Sequence, residues 1–342
     1  MGTRRKPRFG LTILSLLVFA SNYFHLSAGP SANGQVNLGQ ASGVVQNSPG
    51  WYNPAMENKD TYHPLAGKAL VSVIVPTYNR AHLLPRALDS VLDQTHANLE
   101  LIVVDDGSTD DTPEILAAYG DRIRVICQAN SGVSAARNAG IRASRGEFVA
   151  LLDSDDTWTP DKITCQINFF KANPKALICQ TQEIWIRNGR RVNPMKKHEK
   201  PSGDIFIPSL GLCLVSPSAV MMRKSLFGIK GMFNEDFPVC EDYDLWLRVA
   251  RDTPVYLIDR FCTVKYGGHE DQLSASHSQD KYRIEAIAAL IRDTGLTPEQ
   301  TDAAARVLKK KCRVYGKGCI KRGRAGEGEY YLGLAAALGL VS

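Results

Sequence analysis

The sequence has no C-x-x-C pair and no His/Cys grouping at zinc-ligand spacing, so neither a thioredoxin-like redox pair nor a structural zinc site is written into it. It has no heptad run and no convincing internal repeat, which argues against a coiled coil or a solenoid array. Neither sign of charge dominates, with 41 Lys and Arg against 35 Asp and Glu. The net charge is +6, part of it in the first eight residues and part between Lys309 and Arg324, which implies no nucleic-acid partner and fits a membrane surface better. The first expected strand is followed by Pro76-Thr77-Tyr78-Asn79 and not by G-x-G-x-x-G, which argues against a dinucleotide-dependent oxidoreductase on a doubly wound sheet.

What is present is enough for a packed core, with 342 residues of which 44% are hydrophobic. The eight cysteines are scattered through apolar or mixed segments and read as buried reduced thiols, which points to a cytoplasmic active domain. Residues 1–28 combine Arg4-Arg5-Lys6 and Arg8 with a short apolar run from Phe9 to Ala20, a pattern closer to a leader or weak anchor than to a full spanning helix. Residues 29–66 are rich in Gly, Asn, Ser, Gln and Pro without periodicity, as a disordered linker would be. Three readings of the leader stay open: a tethered weak anchor, a cleaved segment, or untranslated sequence ahead of a start at Met56. An intact mass that includes residues before Met56 would exclude the third.

The pattern centres on Phe148 to Leu152, a short apolar run that reads as a buried strand and exits into Asp153-Ser154-Asp155-Asp156. Open α/β sheets hold their ligands at the carboxyl ends of strands. Asp153 and Asp155 can turn toward one hard cation, since Mg²⁺ or Mn²⁺ takes one or two carboxylates plus substrate phosphates. An acidic turn that only shapes loop entry has the same composition. Before it come a β-branched run at Ala69 to Pro76, helical spacing from Leu83 to Leu92, a strand from Leu99 to Val104, a strand from Ile123 to Cys127 and a helix from Ser134 to Ala143. This alternation predicts an α/β fold with a doubly wound, mostly parallel sheet.

Thr112, Thr159 and Thr297 each precede Pro and an acid, a helix-start signal with Thr as N-cap and Pro at N1. Past Pro160 the pattern is mixed. It gives a helix from Asp161 to Lys171, strand candidates at Ala176 to Gln180 and Ile184 to Ile186, a hairpin turn at Asn188-Gly189 and an exposed basic loop from Arg187 to Lys200. Pro217 to Met222 regains strand character, and Cys240 to Val249 reads as a loop feeding a helix. From residue 279 to 342 the chain is a helical C-terminal tail.

Five segments occur in order between Val71 and His277: Pro76 to Asn79, Asp105-Asp106-Gly107-Ser108, Ser131 to Asn138, Asp153-Ser154-Asp155 and Glu241-Asp242. Together they resemble the family 2 inverting glycosyltransferases of the GT-A fold. The resemblance implies a catalytic domain over 67–278, with a nucleotide-binding half at 67–158 and an acceptor half at 159–278. It further implies that Pro76 and Tyr78 flank the base, with Thr77 and Asn79 beside them, and that Asp106 accepts a hydrogen bond from it next to Asp105. Arg137 would lie near the donor, Asp153 and Ser154 would contact its ribose or sugar, and Asp155, with Asp153, would hold Mn²⁺ or Mg²⁺ on the diphosphate. Asp242 would be the general base that deprotonates the acceptor hydroxyl. His269 is a further candidate for the metal shell and equally a solvated turn residue.

The same residues have plainer roles open to them: Tyr78 as a packing aromatic, Asp105 and Asp106 as a helix-entry turn, Glu241 and Asp242 as a helix cap. Trp158 and Trp246 read as core residues. Neither the Q-x-x-R-W segment of processive synthases nor a multi-span membrane region is present. The expectation is a metal-dependent inverting transferase moving one sugar from a nucleotide-sugar donor, a UDP-sugar, to a hydroxyl of a glycan, lipid-linked or protein acceptor. It would work in the cytoplasm at the inner face of the membrane, in surface polysaccharide or glycoconjugate synthesis. The alternative is a non-enzymatic nucleotide-sugar-binding scaffold on the same fold.

Overall fold

Along β1 (Val71–Thr77) successive side chains enter two different apolar layers, which is why the run is hydrophobic almost without interruption. Val71, Val73 and Val75 pack on one face with Leu84, Ala87, Leu88 and Val91 of α1 (Leu84–Leu92). Ile74 points into the other core with Ile141. The structure is a computed structural model and describes residues 69–268 and 279–340.

The chain continues through β2 (Leu99–Asp105), α2 (Thr112–Tyr119), β3 (Arg124–Cys127), α3 (Val133–Ala143), β4 (Phe148–Leu151), β5 (Thr157–Trp158) and α4 (Lys162–Ala172). Then follow β6 (Ile178–Arg187), β7 (Arg190–Val192), α5 (Phe206–Ser209), β8 (Val220–Arg223), α6 (Ser225–Lys230), α7 (Glu241–Ala250) and β9 (Tyr256–Gly267). The last elements are α8 (Gln279–Arg292), α9 (Pro298–Lys321) and α10 (Ala325–Ala337). The sheet order is β3-β2-β1-β4-β8-β6-β9-β5, with β7 paired to β6.

β1, β2, β3 and β4 are parallel, so their carboxyl ends fall on one edge. Beyond β4 the sheet continues through antiparallel β8, and β6 and β9 then pair in parallel. α1 and α4 cover one face; α7, α8, α9 and α10 bury their apolar sides in the core on the other. Gly140 lets α3 press against β1, since a Cβ there would fall 2.4 Å from Ile74 Cγ2.

The alternating α/β pattern, the two tryptophans and the helical tail are found as expected, Trp158 and Trp246 being buried. The Asn188-Gly189 turn has both residues at positive φ, as a tight hairpin requires. Four details differ. The two strand candidates after Ala176 are one strand, β6, because its polar centre Thr181-Gln182-Glu183 stays in the ladder through a bulge against β9. The stretch from Arg187 to Lys200 is not all exposed loop, since β7 lies in it and Lys200 is drawn in to Glu183. Only Thr297 caps its helix, in a reciprocal capping box with Gln300, whereas Thr112 Oγ1 accepts from Arg80 N and Thr159 Oγ1 donates to Asp161. All eight cysteines are free, but only Cys179, Cys262, Cys312 and Cys319 are buried; Cys165, Cys213 and Cys240 are partly exposed, and Cys127 is exposed at the end of β3.

Among the described residues no helix is long and apolar enough to cross a membrane. The expectations for the leader, the linker, the Met56 start and His269 lie outside the described residues.

Candidate active site

The loops at the carboxyl ends of β1 and β2 are clamped together by their own polar groups. Asn79, at φ 51°, accepts from Thr109 N through Oδ1 at 2.7 Å and donates its backbone N–H to Ser108 Oγ at 2.9 Å. Asp105 Oδ1 accepts from Ser108 N at 3.0 Å, closing a side-chain turn. Pro76 and Thr77 are buried in register with Val104 and Asp105, and the Thr77 hydroxyl is buried without a hydrogen-bond partner. Tyr78 projects, 45% exposed. An exposed aromatic face between two braced loops is available for stacking on a flat ligand.

Asp106 is held differently. Its Oδ1 accepts from Ser131 N at 2.9 Å and Gln128 Nε2 at 2.7 Å, and its Oδ2 accepts from Gly132 N at 2.8 Å. It thereby draws the loop after β3 toward β2 and sets the start of α3, where Gly132 takes a φ of 89°. A carboxylate offers about four acceptor positions, so one remains for another donor.

The side chain that joins the early motifs to the late one is Arg137 on α3. It is buried, donating from Nη2 to Asp153 Oδ1 at 2.8 Å and from Nη1 to Glu241 Oε1 at 2.5 Å. Burial works against its charge, but Asp153 and Glu241 outweigh that and hold the guanidinium firmly protonated. Burial likewise opposes ionisation of Asp153, yet Arg137, Lys265 and the Ser218 hydrogen bond bring its carboxyl below the usual range. Glu241 is raised, by burial first and then by the neighbouring Asp242 charge, against the pull of Arg137.

The exit of β4 is pinned by Ser218, whose Oγ accepts from Asp153 N at 3.1 Å and donates to Asp156 Oδ2 at 2.6 Å. Asp156 Oδ1 also accepts from Tyr266 N at 3.1 Å, and Lys265 Nζ lies 3.6 Å from Oδ2. Burial pushes the Asp156 carboxyl up to about 7; Lys265 opposes this, and the adjacent charges of Asp155 and Asp153 add to it. Ser154 is buried in the same turn, and the Asp155 carbonyl accepts from Arg86 Nη2, whose guanidinium lies over the Tyr266 ring.

Asp242 sits in the first turn of α7, half-buried. Its Oδ1 accepts from Tyr243 N at 2.7 Å, and Cys213 Sγ lies 3.5 Å from Oδ2. Cys240 enters the helix at φ 62°, and Glu241, Asp242 and Asp244 all fall where the helix N-terminus favours negative charge. Asn138 braces the approach to α7 by bonding both backbone groups of Phe233.

The structure thus gathers Asp153, Ser154, Asp155 and Arg137 around the β4 exit and brings Glu241-Asp242 to them through Arg137. Thr77, Asn79, Asp105 and Asp106 form the braced neighbouring loops. Sequence reading passed over three contributors. Asp156 is visible as the last acid of its run, and Glu241 stands in a motif segment but with no role of its own beyond a helix cap. Lys265, one cation in a strand, carried no signal.

The Glycosyl transferase family 2 profile matches residues 72–228. An uncharacterized glycosyltransferase of Rickettsia typhi is 33% identical over 67% of this chain and 72% of its own length. The chain belongs to the family 2 glycosyltransferases. A second relative of this glycosyltransferase is the Escherichia coli UDP-Glc:alpha-D-GlcNAc-diphosphoundecaprenol beta-1,3-glucosyltransferase WfgD, 32% identical over 63% of this chain and 83% of that protein. Other rickettsial relatives are longer, and the chain spans 36% or less of three of them. Among solved structures, S. aureus TarS 1-349 in complex with UDP-GlcNAc shares the fold, with a TM-score of 0.58 at 20% identity over 72% of each chain.

No cluster of three or more His, Cys, Asp or Glu side chains placed to hold a metal occurs among the described residues of this glycosyltransferase. The carboxylates that would hold a cation at the β4 exit are Asp153, one oxygen of which accepts from Arg137, and Asp155. That fits a hard cation which completes its shell with water and donor phosphates, and it does not fit an all-protein cage.

Proposed function

We propose that this glycosyltransferase moves one sugar from a UDP-sugar to a hydroxyl of a lipid-linked or polysaccharide acceptor, with inversion at the anomeric carbon. The observation that supports the reading is the bridge from Asp153 through Arg137 to Glu241, the residue next to Asp242 in α7. WfgD supports the choice of a UDP donor and of a lipid-linked acceptor.

In this reading Tyr78 stacks on the uracil beside Pro76, while Thr77, Asn79, Asp105 and Asp106 fix the walls of the base site, Asp106 offering its remaining acceptor position to the ring. Asp153 and Ser154 orient the ribose and sugar. Asp155 and Asp153 hold Mn²⁺ or Mg²⁺, which when bound neutralises charge on the departing diphosphate. Asp242 accepts the proton of the acceptor hydroxyl as that oxygen attacks from the face opposite the leaving group. A panel of UDP-sugars incubated with the full chain and Mn²⁺ tests this. Release of UDP from one sugar, accelerated by acceptor, is expected; no release from any member would favour the non-enzymatic scaffold.

The acceptor end of the reaction lies at the inner face of a membrane in this reading. On α9 the residues Arg306, Lys310, Arg313, Lys317 and Lys321 recur along one exposed stripe, interleaved with Val314, 61% exposed, and Ile320, 43% exposed. Such a stripe suits anionic headgroups. Flotation with phosphatidylglycerol vesicles is expected to carry the protein at low salt, and the double variant Lys310→Glu, Lys317→Glu to stay behind. Equal binding to neutral phosphatidylcholine vesicles would contradict this role.

A further inference from the structure

A cleft of about 390 Å³ opens between β6, β7 and the segment 193–200, with β9 at its edge. Its size is in the range of small-ligand sites. Its walls are aromatic: Trp185 lies against His198 with ring centroids 5.1 Å apart, and Phe261 of β9 is 52% exposed at the edge. The bulge at Gln182, where the register of β6 slips against Phe261, turns both Gln182 and Glu183 into the lining. Arg191 and Asn193 complete a polar rim.

The floor is unusually well fixed for a surface cleft. Glu183 is buried, accepts from Trp185 Nε1 at 3.1 Å and pairs with Lys200 Nζ at 3.3 Å. Burial alone would neutralise it, but Lys200 and Lys265 together bring its carboxyl down to about 2. Burial also costs Lys200 part of its basicity, yet the pair stays charged because Glu183 draws on Lys265, Ser216 and Trp185 as well. The buried pair and the bond from the indole nitrogen hold the Trp185 ring in place at the cleft.

The same network reaches the β4 exit. Lys265 bonds Ser216 Oγ at 3.1 Å and faces Asp156, so the cleft and the acidic turn share one cation. A flat aromatic wall, a polar rim and a fixed floor are what a pyranose ring requires, its C–H face on the aromatic and its hydroxyls on the rim.

We propose that this cleft is the acceptor subsite, binding a saccharide unit of the glycan being extended, stacked on Trp185 and Phe261 with hydroxyls on Arg191 and Asn193. The assignment rests on the transferase reading for its role, but its binding is measurable without donor or metal. The probes are chitobiose, cellobiose, lactose and maltose, titrated into the full chain with tryptophan fluorescence and saturation-transfer NMR as readouts. At least one should bind the wild type, and Phe261→Ala should weaken it about tenfold, the scale of a lost aromatic contact. Trp185→Ala should weaken it at least as much, with binding of UDP and Mn²⁺ unchanged in both variants. Phe261 and Arg191 lie at the cleft edge, so their alanine variants keep the test valid if Trp185→Ala misfolds. Absence of binding by all four disaccharides, or equal binding in Phe261→Ala and Arg191→Ala, would overturn the proposal. Disaccharide binding by a protein that does not bind UDP would instead retain the cleft and reject the donor reading.

Discussion

Replacement of Arg137 by alanine is expected to destabilise the fold by about 3–5 kcal/mol, the usual cost of removing one partner from a buried ion pair. The guanidinium lies between Asp153 and Glu241 with little solvent access, and without it two carboxylates face one another across the space it leaves. Glu241 can escape by taking a proton; Asp153, which relies on Arg137 and Lys265 for its ionised form, loses its larger support. Arg137→Lys keeps the charge but cannot reach both acceptors with one fork, so it should fall between alanine and wild type. Urea denaturation measures the series. A loss under about 1 kcal/mol for Arg137→Ala, the scale of an exposed pair, would show that the bridge does not hold α7 to the β4 exit.

Asp242→Asn is expected to leave the fold and UDP binding intact and to lower turnover about 10²–10⁴-fold, the range for loss of a general base. Asparagine preserves the size of the side chain and its oxygen can still accept from Tyr243 N, so the start of α7 has no reason to move. The split between retained binding and lost turnover separates a base from a cap, because asparagine keeps the cap and removes only the basic oxygen. Turnover within a few-fold of wild type would reject the base assignment.

These two residues also show how far the sequence is legible. Strand and helix order from Val71 to Leu151 follows from local pattern, because a strand covered on both faces must be apolar throughout and an amphipathic helix must repeat its apolar positions. The placement of Asp153 and Asp155 follows with it, since the carboxyl edge of a parallel sheet is fixed once the strands are. Arg137 was legible only as a residue in a motif. That its partners are carboxylates 16 and 104 residues away depends on how α7 packs, which no local signal encodes. The antiparallel entry of β8 beside β4 and the bulge in β6 are likewise settled by tertiary pairing. Thr112 and Thr159 illustrate the reverse case, in which a sound helix-start signal finds its hydroxyl engaged elsewhere, by Arg80 N of the preceding loop and by the Asp161 carboxylate. Asp156 was in plain view, but its burial against Ser218 and Tyr266 could not be read from an acidic run.

The central claim, a nucleoside diphosphate site that shares a divalent cation with the β4 exit, is tested most directly by calorimetric titration of UDP into the full chain with and without Mn²⁺. Wild type and Asp155→Ala should be measured side by side, since ligand binding and its metal dependence are read in the same experiment. One-to-one binding that strengthens with Mn²⁺ in the wild type, and loses that strengthening in Asp155→Ala, is the predicted result. A folded wild type that binds no UDP, or an Asp155→Ala variant with undiminished Mn²⁺ dependence, would contradict it.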